Sequence, residues 1–158
     1  MKPTRILFIA VVWLAAVLSS PGQSLVVMAD PLFQPVLEEL APRFAERTGF
    51  ELHLSTVPSD AVADRIQSGE SADVVFPADE NSMRRLMGLG LVDVALKRNI
   101  LAMPGESAEE TAPASDPQYA SAAVLAGTER RIQAMAFLDY LASDDARGAF
   151  ERQGFTLP

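Results

Sequence analysis

The chain has 158 residues, 49% of them hydrophobic and 22% charged, with a formal net charge of -8. That is the composition of an ordinary globular protein, which argues against a disordered, collagen-like or coiled-coil chain. There is no cysteine and a single histidine, His53. Disulfides, thiolate metal sites, a thiol nucleophile and a multi-histidine metal centre are excluded, and no cofactor is expected. The acidic balance argues against nucleic acid, whose phosphates are met by basic residues.

Lys2 and Arg5 precede an uninterrupted apolar run of 13 residues, Ile6 to Leu18. Small and polar residues follow, Ser19-Ser20-Pro21-Gly22-Gln23-Ser24. This is the three-part layout of a secretory signal peptide, and the run falls short of the ~20 residues that span a bilayer. Residues 1–24 are expected to be removed by cleavage after Ser24. Residues 25–158 then form one domain, periplasmic or secreted.

Leu25 to Ala29 reads as a buried strand, broken by Asp30-Pro31. Val36, Leu37, Leu40, Ala41 and Phe44 recur at helical spacing; Pro42 should bend that helix and Gly49 should cap its end. Phe50 to Ser55 alternates as a strand does. Pro58-Ser59-Asp60 opens the next helix, with Ser59 or Asp60 as N-cap, and Gly69 stops it. Asp73 to Phe76 is a third strand, Asp79 caps a third helix, and Ile100 to Met103 is a fourth strand. The order βαβαβαβ predicts a parallel sheet with right-handed crossovers.

The pattern then lapses. Residues 104–117 hold three prolines and four acids with no base, the composition of an acidic linker or exposed loop. Tyr119 to Ala126 is a further strand. Thr128 is expected to cap a helix whose Ala134, Phe137, Leu138 and Leu141 share a face. Ser143 caps the last helix, which carries Asp144 and Asp145 at its positive end. The expected class is α/β, a three-layer, mainly parallel sheet flanked by helices.

His53 falls on the polar side of a strand, with no G-x-S-x-G or similar signature for a partner nucleophile, and reads as a surface histidine. The pairs Glu38/Glu39, Glu109/Glu110 and Asp144/Asp145 are neighbours whose side chains diverge, so they make no acid–base dyad. Arg84/Arg85 and Arg130/Arg131 read as surface charge. The sharper signals are Ala29-Asp30-Pro31-Leu32 and Val57-Pro58-Ser59-Asp60, where a strand ends and a helix begins. In an open parallel sheet ligands collect at such places, and helix N-termini offer N–H groups to anions.

The stretches Leu37-Glu38-Glu39-Leu40-Ala41-Pro42-Arg43-Phe44 and Ala72-Asp73-Val74-Val75-Phe76-Pro77-Ala78-Asp79, with the tail from Tyr119 to Phe155, resemble the periplasmic molybdate-binding protein family. These are solute receptors of oxyanion ABC importers with a type II periplasmic-binding fold. The resemblance implies two departures. A family member has two lobes, whereas here residues 104–117 take the place of the second lobe, so the chain is shortened to about one. The family's first pocket serine falls on Leu32, its second on Ser59, and the serine usual before Ala78-Asp79 is Pro77. Asp30 and Asp60 stand beside the place an anion would occupy, and a carboxylate within ~5 Å of a dianion opposes binding.

The expected role is that of a substrate-binding component of a molybdate-type ABC transporter with a weakened site. Its ligand would be molybdate or tungstate, its partner a membrane permease, and its ligand-binding residues Asp30, Leu32, Pro58 and Ser59. The alternative is a non-transporting one-lobe relic that docks on a partner or on itself through the surface its missing half would cover. No nucleophile–base pair can be named, so no enzymatic activity is expected.

Overall fold

A computed structural model of the chain describes residues 24–103 and 118–158. The expected leader, apart from Ser24, and the acidic segment 104–117 lie outside the described residues. The elements in order are β1 (Ser24–Ala29), α1 (Gln34–Thr48), β2 (Glu51–Thr56), α2 (Val62–Gln67) and β3 (Val74–Phe76). α3 (Glu80–Gly88), β4 (Arg98–Met103), β5 (Gln118–Val124), α4 (Arg131–Leu141) and α5 (Asp144–Arg152) follow. Short 3-10 turns at Pro31–Phe33 and Ser59–Ala61 lead into α1 and α2.

The five strands form one sheet in the order β2-β1-β3-β5-β4. β1 pairs in parallel with β2 and β3, while β5 runs antiparallel to both β3 and β4. Four strands therefore point one way and β5 points the other. The alternation of elements predicts β4 as a parallel neighbour in the βαβ series, yet β5 lies between β3 and β4 instead. Burial explains the exchange. β5 is buried on both faces, through Ala120, Ala122 and Val124 on one side and Ala123 on the other, and so needs neighbours on both edges. β4 carries exposed Arg98 and Asn99, which suit an edge. β2 forms the other edge, with Glu51 and His53 exposed.

Strand side chains alternate between two packed layers, as the pleat requires. Leu25, Val27, Val74 and Phe76 meet α1, α4 and α5 through Leu40, Phe44, Phe137 and Phe150. Met28, Val75 and Ala123 meet α2 and α3 through Val62, Met83 and Leu86. The three-layer expectation holds on these contacts. Phe33 stacks on Phe76 with ring centroids 4.2 Å apart, and Phe155 closes on both Phe33 and Phe150. This aromatic cluster lies directly beneath the exits of β1 and β3.

Helix α1 runs through Pro42 from Gln34 to Thr48. Its buried face, Val36, Leu37, Leu40 and Phe44, offsets the hydrogen bond that the proline ring forfeits. Gly49 ends it at φ +78°, a left-handed conformation that a side chain disfavours. Asp79 and Ser143 cap α3 and α5 as the sequence suggests. Thr128 does not cap α4, which begins at Arg131; its hydroxyl goes elsewhere, as described below. Among the described residues no helix is long and apolar enough to cross a membrane.

Candidate functional site

The exits of β1, β2 and β3 lie side by side because the parallel ladder continues one step past each strand. The Asp30 N–H donates to the Phe76 carbonyl at 3.0 Å, and the Val57 N–H donates to the Ala29 carbonyl at 2.9 Å. Each exit then meets a proline within two residues: Pro31, Pro58 and Pro77. Proline ends the ladder, and Pro31 and Pro58 lead into helical turns without an N–H to satisfy. The geometry thus brings Asp30, Leu32, Pro58, Ser59 and Ala78 to one rim.

Asp30 is the hub of that rim. Its Oδ1 accepts the Leu32 N–H at 3.0 Å, so it caps the first 3-10 turn. Its Oδ2 accepts the Ser59 N–H at 2.9 Å and the Ser59 hydroxyl at 2.6 Å. The Ser59 oxygen in turn accepts the Ala78 N–H at 2.8 Å. One carboxylate and one hydroxyl therefore tie three exits together. Asp30 is half-buried and Ser59 is buried. No Lys or Arg pairs with Asp30 among the described residues.

The four residues singled out in the sequence are all at this rim, but two differ in detail. Ser59 does not cap its own helix through its side chain; Pro58 holds the N-cap position without a side-chain bond, and the hydroxyl is spent between exits. Pro58 and Leu32 are exposed, Leu32 to 47%. Leu32 contributes its backbone N–H and presents an apolar side chain to solvent. Asp60 is exposed and leaves the carboxylate role to Asp30. Pro77 is buried, and Asp79 turns away to cap α3 through the Ser82 N–H at 2.7 Å. Two surface hollows contain none of these residues. The larger, about 300 Å³, is lined by Arg47, Thr48, Ala136, Asp139, Tyr140 and Ser143.

A second carboxylate cluster lies at the opposite end of β3, and sequence reading missed it. Asp73, 3% exposed, accepts the Val26 N–H at 2.8 Å and the Thr128 hydroxyl at 2.5 Å. Arg130 approaches both of its oxygens at 3.4 Å. This clamp fastens the β5–α4 connection to β1 and β3. Asp73 and Arg130 are 57 residues apart, so no local signal links them.

The perturbed titrations are distant from the rim. Arg131 and the Ala95 N–H hold Asp93 below the usual carboxylate range, with Arg131 dominant. Burial, followed by its hydrogen bond to Asp145, pushes the Tyr140 phenol up to about 12. That hydrogen bond, joined by Arg43, lowers Asp145. Among the described residues no group of three His, Asp or Glu side chains is placed to hold a metal ion. His53 stands alone and exposed on the edge strand β2.

Comparison with known proteins places the chain in a family and a fold. The model of the family described as "Bacterial extracellular solute-binding protein" matches residues 25–115 and 108–156, two pieces that meet in the acidic segment. No curated protein matches the sequence. Among solved structures, the periplasmic molybdate-binding protein of Azotobacter vinelandii is similar, with a TM-score of 0.70 at 16% identity. The similarity covers 85% of this chain and 99% of that one. The substrate-binding domain of a putative molybdenum ABC transporter from Clostridium difficile gives 0.73 at 10% identity, with the same shares of both chains. The sulfate-binding protein SubI of Mycobacterium tuberculosis gives 0.65 at 12% identity, covering 84% of this chain and 86% of that one. At these identities the structures establish the fold, and the family model establishes kinship: the chain belongs to the bacterial extracellular solute-binding proteins, with the type II periplasmic-binding fold at the size of one lobe.

Proposed function

We propose that the chain is the substrate-binding component of an ABC importer for small oxyanions of the molybdate and sulfate class. It would work outside the cytoplasmic membrane after loss of its leader near Ser24, and it would deliver its ligand to a membrane permease. The observation that carries this reading is the convergence of three strand exits on Asp30, Leu32, Ser59 and Ala78, at the carboxyl ends of parallel strands. Ligands of open α/β sheets collect at that position, and backbone N–H groups there suit an anion better than a basic side chain would. Structural neighbours include a molybdate-binding and a sulfate-binding protein. On this reading residues 104–117 would replace a second lobe and Leu32 supplies no hydroxyl, so the affinity would be low. Isothermal titration of the purified chain with molybdate, tungstate and sulfate tests the reading. Weak, saturable heat with at least one of them is expected; no heat with any, on cooperatively folding protein, removes it.

A second reading is favoured by Leu32, a large apolar side chain 47% exposed on the rim. The lobe would then be a non-transporting relic that docks on a partner or on its own copy. Size-exclusion chromatography with light scattering tests self-association, and a monomer at all concentrations counts against it.

A further inference from the structure

The rim holds four hydrogen-bond donors in the positions from which an anion would be gripped: the N–H groups of Leu32, Ser59 and Ala78, and the Ser59 hydroxyl. All four are already engaged within the chain. Three of them donate to one carboxylate, that of Asp30, and the fourth donates to the hydroxyl that completes the set. The prolines reduce the supply further, since Pro31, Pro58 and Pro77 each put a residue without an N–H at a strand exit. The carboxylate itself is held by dipoles alone among the described residues, with no cation beside it. A negative group held by convergent N–H and O–H donors, without a counter-charge, is the arrangement a bound oxyanion would have.

We infer that Asp30 is a built-in occupant of the oxyanion site, a tethered carboxylate that takes the donors a free anion would need. The inference rests on the oxyanion reading of the rim proposed above. It identifies what sets the affinity of that site. A tethered ligand competes at a very high effective concentration, because it is one bond set away from its own donors. It also repels any dianion that approaches without displacing it. The carboxylate thereby trades capture of a solute for a rim closed on itself.

The test compares the unsubstituted chain with Asp30→Ser and Asp30→Asn. Serine keeps a capping oxygen for the Leu32 N–H but frees the two Ser59 donors. Asparagine keeps the shape and removes the charge. Each protein is titrated with molybdate and with sulfate, and each is melted with and without the anion, since a ligand of the native state raises its melting temperature. The expected result is binding by Asp30→Ser about tenfold or more tighter than by the unsubstituted chain, with Asp30→Asn between them. Binding by Asp30→Ser alone supports the inference while removing present-day anion capture from the proposed function. Equal binding by all three overturns the inference and leaves the solute-binding reading intact. Silence from variants that melt cooperatively overturns both, because the donors then have no affinity for oxyanions. Should Asp30→Ser fail to fold, the same comparison is decided by Asp30→Asn.

Discussion

The two ends of β3 carry the same device with different surroundings. At one end Asp73 accepts a backbone N–H and a hydroxyl, and at the other Asp30 accepts two backbone N–H groups and a hydroxyl. Asp30 is level with Pro77 in the parallel ladder, four residues beyond Asp73, so their backbones are about 13 Å apart along the strand. Asp73 is sealed from water and has Arg130 within reach; Asp30 is half-buried and has dipoles only. A buried charge needs a partner, and Arg130 gives Asp73 the role of a clamp. A charge at an open rim keeps part of its hydration and can be held without one, which is how a transient ligand is held. The presence of a cation, more than the number of hydrogen bonds, separates the sealed carboxylate from the one at the open rim.

That contrast is most strongly tested by Asp73→Ala. It leaves the Val26 N–H, the Thr128 hydroxyl and Arg130 without their acceptor, and the loss should be about 3 kcal/mol, read as a fall in the urea midpoint. Ser59→Ala removes the hydroxyl between Asp30 and Ala78 and should cost about 1–2 kcal/mol. If Ser59→Ala costs more than Asp73→Ala, the rim is the true clamp and the contrast is reversed. A third carboxylate sharpens the point. Asp145 accepts the Tyr140 hydroxyl at 2.7 Å and the Arg43 guanidinium at 2.9 Å, and it is partly open to solvent.

Tyr140 titrates near 12 in the folded chain, above its usual value, because burial and Asp145 disfavour the phenolate. Its contribution is therefore complete below a pH of about 10 and is lost as pH rises toward 12. Asp145 is shifted the other way, so its contribution is present above a pH of about 4 and is lost on acidification. Tyr140→Phe should cost about 1 kcal/mol at neutral pH and flatten the stability profile on both limbs, as measured by urea midpoints across pH. The smallest effect is expected at His53. Its replacement by Ala on the exposed edge of β2 should change stability by less than about 0.5 kcal/mol.

Much of the lobe is legible in the sequence because the governing interactions are local. Gly49, Asp79 and Ser143 terminate or cap helices through bonds to residues a few positions away, and the apolar spacing of α1 identifies its buried face. What is not legible depends on partners far along the chain. β5 reads as a strand, but its place between β3 and β4 follows from which faces are buried in the assembled sheet. Ser59 before a helix carries every local mark of a cap. Its hydroxyl is drawn away because Asp30 and Ala78 lie at the same level of neighbouring strands, 29 and 19 residues distant. Arg130 next to Arg131 looks like a surface pair, yet one serves Asp73 and the other Asp93.

The register of β4 and β5 has a consequence for how such a chain changes its size. Met103 is paired with Gln118, so the chain leaves the sheet and re-enters it through adjacent doorways. Any length of polypeptide spliced between those two residues has its ends held together in advance, and the ladder behind them does not register what has been added or removed. A gain or loss of material at that threshold is thus invisible to the core, and this half of the architecture can be inherited whole.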